Sequence, residues 1–586
     1  MAGFQALSFR NFCSIYFAIF FGVLTTMSVT ESLKDCSSNT AGLVIPTTPL
    51  VYFLERVQET ALSTFGESQF DPPYVAMSLK FDLSTAESAF NKLPKSENGS
   101  ISVEDLKVFM EKYLEGAGDD MVYVEPVDFV PEPGGFLPKV ENAEVRTWAL
   151  EMHALWKNLS RKVSDEVLKR PELHTLLPLP KPVVIPGSRF REVYYWDSYW
   201  IIRGLLASKM YETAKAIVTN LIHLIEEYGH VLNGTRAYCT NRSAMIHEIY
   251  HRTGDVQLVK RSLPSLVKEH HFWSSEIHKV TIQDAQSYNH TLNRYYAMWN
   301  QPRPESSTID KQSASKITNI SEKQNFYREV ASTAESGWDF STRWMSNHSD
   351  LTTLATTSVL PVDLNAFILR STAEHFLKAS QARMKAFKSI FWNSEMGQWV
   401  DYWLNDSTCQ EPQNWEACNQ NQNVCLLMST GKPGLGSQRD QRMQLAVQAR
   451  LIGLDTALVK KVMKSFQSSG LLFPAGIATS LANSGQQWDF PNGWAPLQHM
   501  IAEGLARSGS KEARSVAEDI AVRWLRTNYV AYKKTGTMHE KYDVEKCGEF
   551  GGGGEYAPQT GFGWSNGVVL AFLEEFGWPQ DRKIHC

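Results

Sequence analysis

Between Glu141 and the C-terminus, apolar residues recur with the period of a helix rather than that of a strand. In "YWIIRGLLASKMYETAKAIVTNLIHLIEEYG" the residues Ile202, Leu205, Leu206, Ala214, Ile217, Val218, Leu221, Ile222 and Ile225 keep that spacing. It returns in "DQRMQLAVQARLIGLDTALVKKVMKSF" and "KEARSVAEDIAVRWLRTNYVAY", and turns are marked by "SSG" at Ser468 and "RSGSKE" at Arg507. Alternating β-type runs are nearly absent, so the pattern predicts an all-α fold. No repeat of fixed length shows in the residues themselves. Upstream, residues 46–135 read as irregular, with one helix near Val103 to Leu114. "SENGSISVED" partly resembles a calcium loop, with Gly99 and Ile101 at the right offset. The opening position is Pro94, which has no ligating side chain, so a turn leading into a helix capped by Ser102 is the reading.

The hydropathy of the N-terminus adds a targeting segment. Phe12 to Val29 carry no charge, Arg10 precedes them, and Glu31, Lys34 and Asp35 follow. Such a stretch is a signal peptide or a signal-anchor with its N-terminus in the cytosol. The chain divides accordingly into residues 1–30 (targeting), 31–140 (an extension packing on the body) and 141–586 (the helical body). In either case the body is delivered to the secretory side, at the plasma membrane facing outward or outside the cell. Eight Asn-x-Ser/Thr sequons agree, at Asn98, Asn158, Asn233, Asn241, Asn289, Asn319, Asn347 and Asn405. Disulfides are plausible there among Cys409, Cys418, Cys425, Cys547 and Cys586. Their spacing matches no zinc pattern.

Between the amphipathic helices sit loops of another composition, dense in Trp, Tyr, Gly, Arg, Asn and carboxylates. They are "PGSRFREVYYWDSYW" (186–200), "LNGTRAYCTNRS" (232–243), "RYYAMWNQPRPES" (294–306), "ESGWDFSTRW" (335–344), "QQWDFPNGWAPLQ" (486–498), "HEKYD" (539–543) and "GGGGEYAPQTGFGWSNG" (551–567). A closed ring of helical hairpins would bring loops of one rim to a single mouth, where function commonly sits. A formal charge of −5 without a basic block excludes nucleic acid as the main partner. The 17 tryptophans suit a large core and also sugar stacking.

Aromatic faces with planar hydrogen-bonding forks fit a polyhydroxylated ring, whose C–H faces stack and whose hydroxyls take paired hydrogen bonds. Glycosidic bonds are cut by two carboxyl groups, an acid at the leaving oxygen and a partner that activates water or attacks. The loops offer Asp197, Glu305, Asp339, Asp489, Glu540 and Glu555, and spacing alone does not choose among them. Each also has the plainer use of capping a helix or pairing with arginine.

"PGSRFREVYYWDSYW" and "QWDFPNGWAPLQ" strongly resemble the two signature motifs of the trehalases, with "RPES", "ESGWDFSTRW", "EKYD" and "GGGGEY" also matched, over roughly Glu141 to Trp578. The start and the sequons look most like a plant member. The resemblance implies an (α/α)6 toroid and inverting hydrolysis of α,α-trehalose to two glucoses, without metal or organic cofactor. It places the general acid on Asp339 and the base on Glu540. It places substrate contacts on Arg189, Trp196, Asp197, Asn233, Arg242, Ser243, Arg303, Glu305, Gly337 and Glu555. An inverting pair stands about 6.5–9.5 Å apart, leaving room for the attacking water. Trp338 would offer Asp339 a low-dielectric neighbour, and Gly551 to Gly554 a mobile lid. In the stretch of residues 486–498, Trp488 or Trp494 is expected to stack on sugar and Asp489, Asn492 or Gln498 to bind hydroxyls. The plainer reading is a tight loop locking two helices.

One segment departs from the family. Where "RSQPP" is usual, this chain reads "RSAM", with Ala244 in place of the glutamine, which removes a substrate-facing fork. Asn233 and Asn241 are sequons within the implied pocket and are expected to stay unmodified. Two other readings fit the same residues: a carbohydrate-binding or sensing toroid with reduced catalysis, and an α-glucosidase of related barrel type. Retention of both Asp339 and Glu540 speaks against a receptor without turnover.

Overall fold

The computed structural model describes residues 48–66, 74–187, 190–230, 234–236, 245–372, 377–404, 456–554 and 561–586. The apolar stretch 12–29 and Cys409, Cys418 and Cys425 lie outside them. Among the described residues no helix is long and apolar enough to cross a membrane.

The region read as irregular with one helix holds three α-helices among its described residues, one of them where it was expected. α1 (Pro49–Phe65), α2 (Leu83–Asn91) and α3 (Val103–Tyr113) enclose a small core of their own, built on Leu50, Phe53, Leu54, Val57, Ala86, Phe90, Leu106 and Phe109. The spacing of Leu50, Phe53, Leu54, Val57 and Ala61 is that of one helix face, and proline stands in the first turn, where its missing N–H costs nothing. Ser102 caps α3, accepting from the Asp105 amide at 3.1 Å. In the loop before it, Ser96, Asn98 and Ser100 bond to one another around Gly99. Gln58 of α1 donates to the carbonyl of Pro304 at 3.0 Å, so the extension touches a motif loop of the body.

In the body, α4 (Ala143–Leu159) is capped by Asn142. The long periodic run from Tyr195 folds as two helices, α5 (Tyr195–Ala207) and α6 (Tyr211–Tyr228). The chain reverses between them at Lys209, whose φ is 62°. α7 (Val256–Trp273) and α8 (Ile320–Ser336) follow, then α9 (Ala495–Arg507), α10 (Lys511–Thr535) and α11 (Gly563–Phe576). α9 and α10 pair as a hairpin through the turn at Ser508–Ser510. The fully buried tryptophans 148, 156, 200, 344, 494 and 524 fill the interior, the commoner use of this residue.

The ring closes where α11, the last helix, packs on α5, near the start of the body. A Cβ on Gly204 of α5 would stand 2.4 Å from the Cα of Gly567 of α11, and one on Gly567 would stand 2.2 Å from the Trp200 carbonyl oxygen. These helices meet backbone to backbone, which only glycine permits. A disulfide joins Cys547 to Cys586 and fastens the chain end to the segment after "EKYD".

Candidate active site

α5 begins with the first motif. Trp196 in its first turn meets Trp200 and Phe367 edge-on, with ring centroids 5.6 and 5.8 Å away. Asp197 beside it is buried. Burial pushes its carboxyl well above the usual range, and the charges of Glu540 and Asp339 push the same way. Groups 142 and 343 positions away in sequence thus act on one carboxyl. α8 ends at Gly337, whose φ is 73°. The position faces Trp196, since a Cβ there would lie 3.9 Å from the indole Cγ. Asp339 follows two residues later and is half-buried.

The "RPES" loop forms a short 3-10 turn at Pro304–Ser306. Asp310 grips Arg303 through its backbone amide at 2.8 Å and its guanidinium at 2.7 and 3.1 Å, fixing the fork before any ligand arrives. The Glu305 carboxyl is pushed up to about 7, first by burial and further by Asp310 and Asp339, with Arg303 opposing. Its Oε2 is buried and has no hydrogen-bond partner among the described residues.

Residues 486–498 serve the fold rather than the ligand, which corrects the expectation of a sugar-facing wall. Trp488 stacks on Trp494 at 3.9 Å and on Trp338 at 5.1 Å, nearly parallel to both, and the two motif indoles are 2 % and 1 % exposed. Neither has a face left for sugar. Arg343 lies over Trp338 at 4.5 Å and is held by Asp363 and Asp401. Asp489 accepts from Ser341 Oγ, both the amide and the hydroxyl of Thr342, Ser480 Oγ and Ser484 Oγ. Gln498 spends both ends of its amide on the backbone of Ile477, at 2.8 and 2.6 Å. Asn492 donates to the carbonyls of Gln487 and Gly552. The loop therefore locks the turn that carries Asp339.

It also locks the segment that carries Glu540. β1 (Asn492–Trp494) pairs antiparallel with β2 (Lys541–Asp543), Trp494 opposite Lys541. Glu540 is half-buried just before β2, its carbonyl accepting from Trp564 Nε1 at 2.8 Å. Ser565 Oγ bonds the His539 carbonyl at 2.7 Å, so the start of α11 fixes this backbone.

The glycine run is docked rather than hinged. The Gly551 amide donates to Lys541 O, that of Gly552 to Asn492 Oδ1 and that of Gly554 to Gly485 O. A Cβ at Gly551 would come 2.2 Å from Asn492 Oδ1 and one at Gly554 2.7 Å from Gln487 Cβ. Close approach is what Gly551, Gly553 and Gly554 provide, while Gly552 faces open space.

Trp196, Asp197, Arg303, Glu305, Gly337, Asp339 and Glu540 thus come from four separate loops to one place. Arg189, Asn233, Arg242, Ser243 and Glu555 lie outside the described residues, as does the altered segment at Ala244. Two participants were missed from sequence, Gln487 and Lys541, which tie the loops together. Their signal was available, since Lys541 is adjacent to Glu540 and Gln487 stands in the quoted stretch. Among the described residues no group of three His, Cys, Asp or Glu could hold a metal ion.

A family model described as Trehalase matches residues 71–577. The chain is 54% identical to a trehalase of Arabidopsis thaliana, over 93% of this chain and 89% of that one. It is likewise 54% identical to a probable trehalase of Oryza sativa subsp. japonica, over 93% and 99% of the two chains. Among solved structures, the neutral trehalase of Saccharomyces cerevisiae superposes with a TM-score of 0.49 at 22% identity, covering 67% of this chain and 73% of that one. With four of its motif loops meeting around Asp339 and a family match over most of its length, this chain belongs to the trehalase family.

Proposed function

We propose that this protein hydrolyses α,α-trehalose to two molecules of glucose, as a glycoside hydrolase that inverts the anomeric configuration. Asp339 acts as the general acid that protonates the leaving oxygen, and Glu540 as the base that activates water on the opposite face of the sugar. The observation that carries this reading is the meeting of Asp197, Asp339 and Glu540 in one electrostatic environment, from three motifs far apart in sequence. Trp196 offers an aromatic face, Arg303 a pre-oriented fork, and Asp197 and Glu305 carboxyls that burial pushes toward the protonated form, in which a carboxyl can donate to sugar hydroxyls. Arg189, Asn233, Arg242, Ser243 and Glu555 complete the substrate contacts in this reading.

The test is glucose release from trehalose, with maltose and sucrose as controls, followed by proton NMR at early times. One α- and one β-glucose per trehalose is the expected product ratio. Two α-anomers would overturn the acid and base roles, and equal rates on maltose would assign a broader α-glucosidase.

Delivery to the secretory side belongs to the same reading. It is supported by the Cys547–Cys586 disulfide and by the exposure of Asn98, Asn158, Asn289, Asn319 and Asn347. Residues 12–29 serve as signal or anchor. A mass decrease on endoglycosidase treatment of the native protein is expected, and an unchanged mass would refute it.

A further inference from the structure

Lys541 has no place in the acid–base scheme, yet its ammonium sits where the loops of the site meet. The residue is fully buried, so it does not reach substrate. Its Nζ donates to Gln487 Oε1 at 2.9 Å and to the Gly553 carbonyl at 3.2 Å, and it lies 5.1 Å from the centre of the Trp494 ring. Gln487 in turn passes its Nε2 hydrogen to the Asp339 carbonyl. One amine thus joins the strand after Glu540, the turn bearing Asp339 and the glycine run that leads to Glu555.

We infer that Lys541 is a positioning residue of the hydrolysis, holding the acid-bearing turn and the glycine run in register while its positive charge sets the ionisation of Glu540 and Asp339. The inference rests on the roles proposed above for those two residues. Its geometry is that of a cation: two oxygen acceptors and an aromatic face surround the amine, and the charges of two carboxylates reach it. The groups that face this cluster are Glu540 on the same segment, Asp339 from the turn after α8, Asp197 from the first turn of α5 and, beyond Asp339, Glu305. All four are acidic. Burial lowers the Lys541 pKa, and the charges of Glu540 and Asp339 raise it again. The attraction is mutual, so the ammonium favours the ionised form of both carboxyls.

The direction of the effect follows. The base must be ionised and the acid protonated, so kcat/KM is bell-shaped against pH. Removing a neighbouring cation raises both carboxyl pKa values. In Lys541→Met both limbs should therefore move to higher pH, by about one unit. Lys541→Arg keeps the charge but not both short bonds, so its limbs should stay in place while kcat falls. Gln487→Ala keeps the ammonium and breaks the link to Asp339, so it should lower kcat without moving either limb. Lys541→Gln carries the charge test if the methionine variant does not fold by circular dichroism. Unmoved limbs in a folded, charge-free variant would overturn the inference, and so would failure of all three Lys541 variants to fold, which would make the residue structural alone. If instead Asp339→Asn or Glu540→Gln kept its activity, the proposed function would fail before this inference was reached.

Discussion

Asp339→Asn and Glu540→Gln change the chemistry of the proposed pair at nearly constant shape. Each should lower kcat by about 10²–10⁴-fold, the usual contribution of a positioned acid or base, with the fold and sugar binding unchanged. Stopped assays of glucose release, with ligand protection against heat, check both halves of that statement. Glu305 makes a separate prediction in the substrate-free protein. Its carboxyl is raised from 4.5 to about 7 in the folded chain, so between those values the folded state holds a proton that the unfolded state has released. Stability from this group is therefore present at low pH and declines as pH rises from about 4.5 to about 7. A series of thermal midpoints across that window should show the decline, and Glu305→Gln, which cannot ionise, should flatten it.

At the scale of elements, the loop 486–498 shows where sequence stops being informative. Its aromatic and amide groups are those a sugar site requires, and those a buried loop requires to satisfy its own backbone are the same. Only the partners of Asp489 and Gln498 decide between the uses, and those partners lie outside the loop: Ser480 and Ile477 shortly before it, Ser341 and Thr342 far away in sequence. Asp489→Ala would leave several buried donors without an acceptor and should cost about 3 kcal/mol or more of stability. Urea unfolding measures that loss, whereas a sugar contact would instead raise KM with stability unchanged. The helices were legible because burial imposes the helical period on them, and the motif loops because Trp-rich composition is rare. α1 was missed, although Leu50, Leu54, Val57 and Ala61 keep the spacing of one helix face. The break between α5 and α6 was not, since neither glycine nor proline marks the reversal at Lys209.

At the scale of the molecule, two devices hold the ring together. The Cys547–Cys586 bond spans 39 residues and fastens the chain end beside the segment that carries Glu540. Closing a loop of that length stabilises by about 3–4 kcal/mol, so Cys586→Ser should lower the urea midpoint accordingly and expose the last residues to protease. The glycine seam between α5 and α11 is the other device. Gly567→Ala drives a methyl into the Trp200 carbonyl and should cost about 3 kcal/mol, visible as a lower thermal midpoint.

That seam also bears on how the protein is made. A ribosome delivers α5 more than three hundred and fifty residues before α11, and until Gly567 emerges the backbone at Gly204 and Trp200 lacks the helix that packs on it, although Trp156 of α4 is already there. Until then the nascent chain leaves part of that apolar face uncovered, surface that invites a chaperone. Its native contacts also span almost the whole polypeptide, which makes folding slow. A stop codon shortly before Gly563 would remove few residues and yet leave a chain unable to close, so even a late truncation should yield aggregate or degraded protein rather than a weakened enzyme.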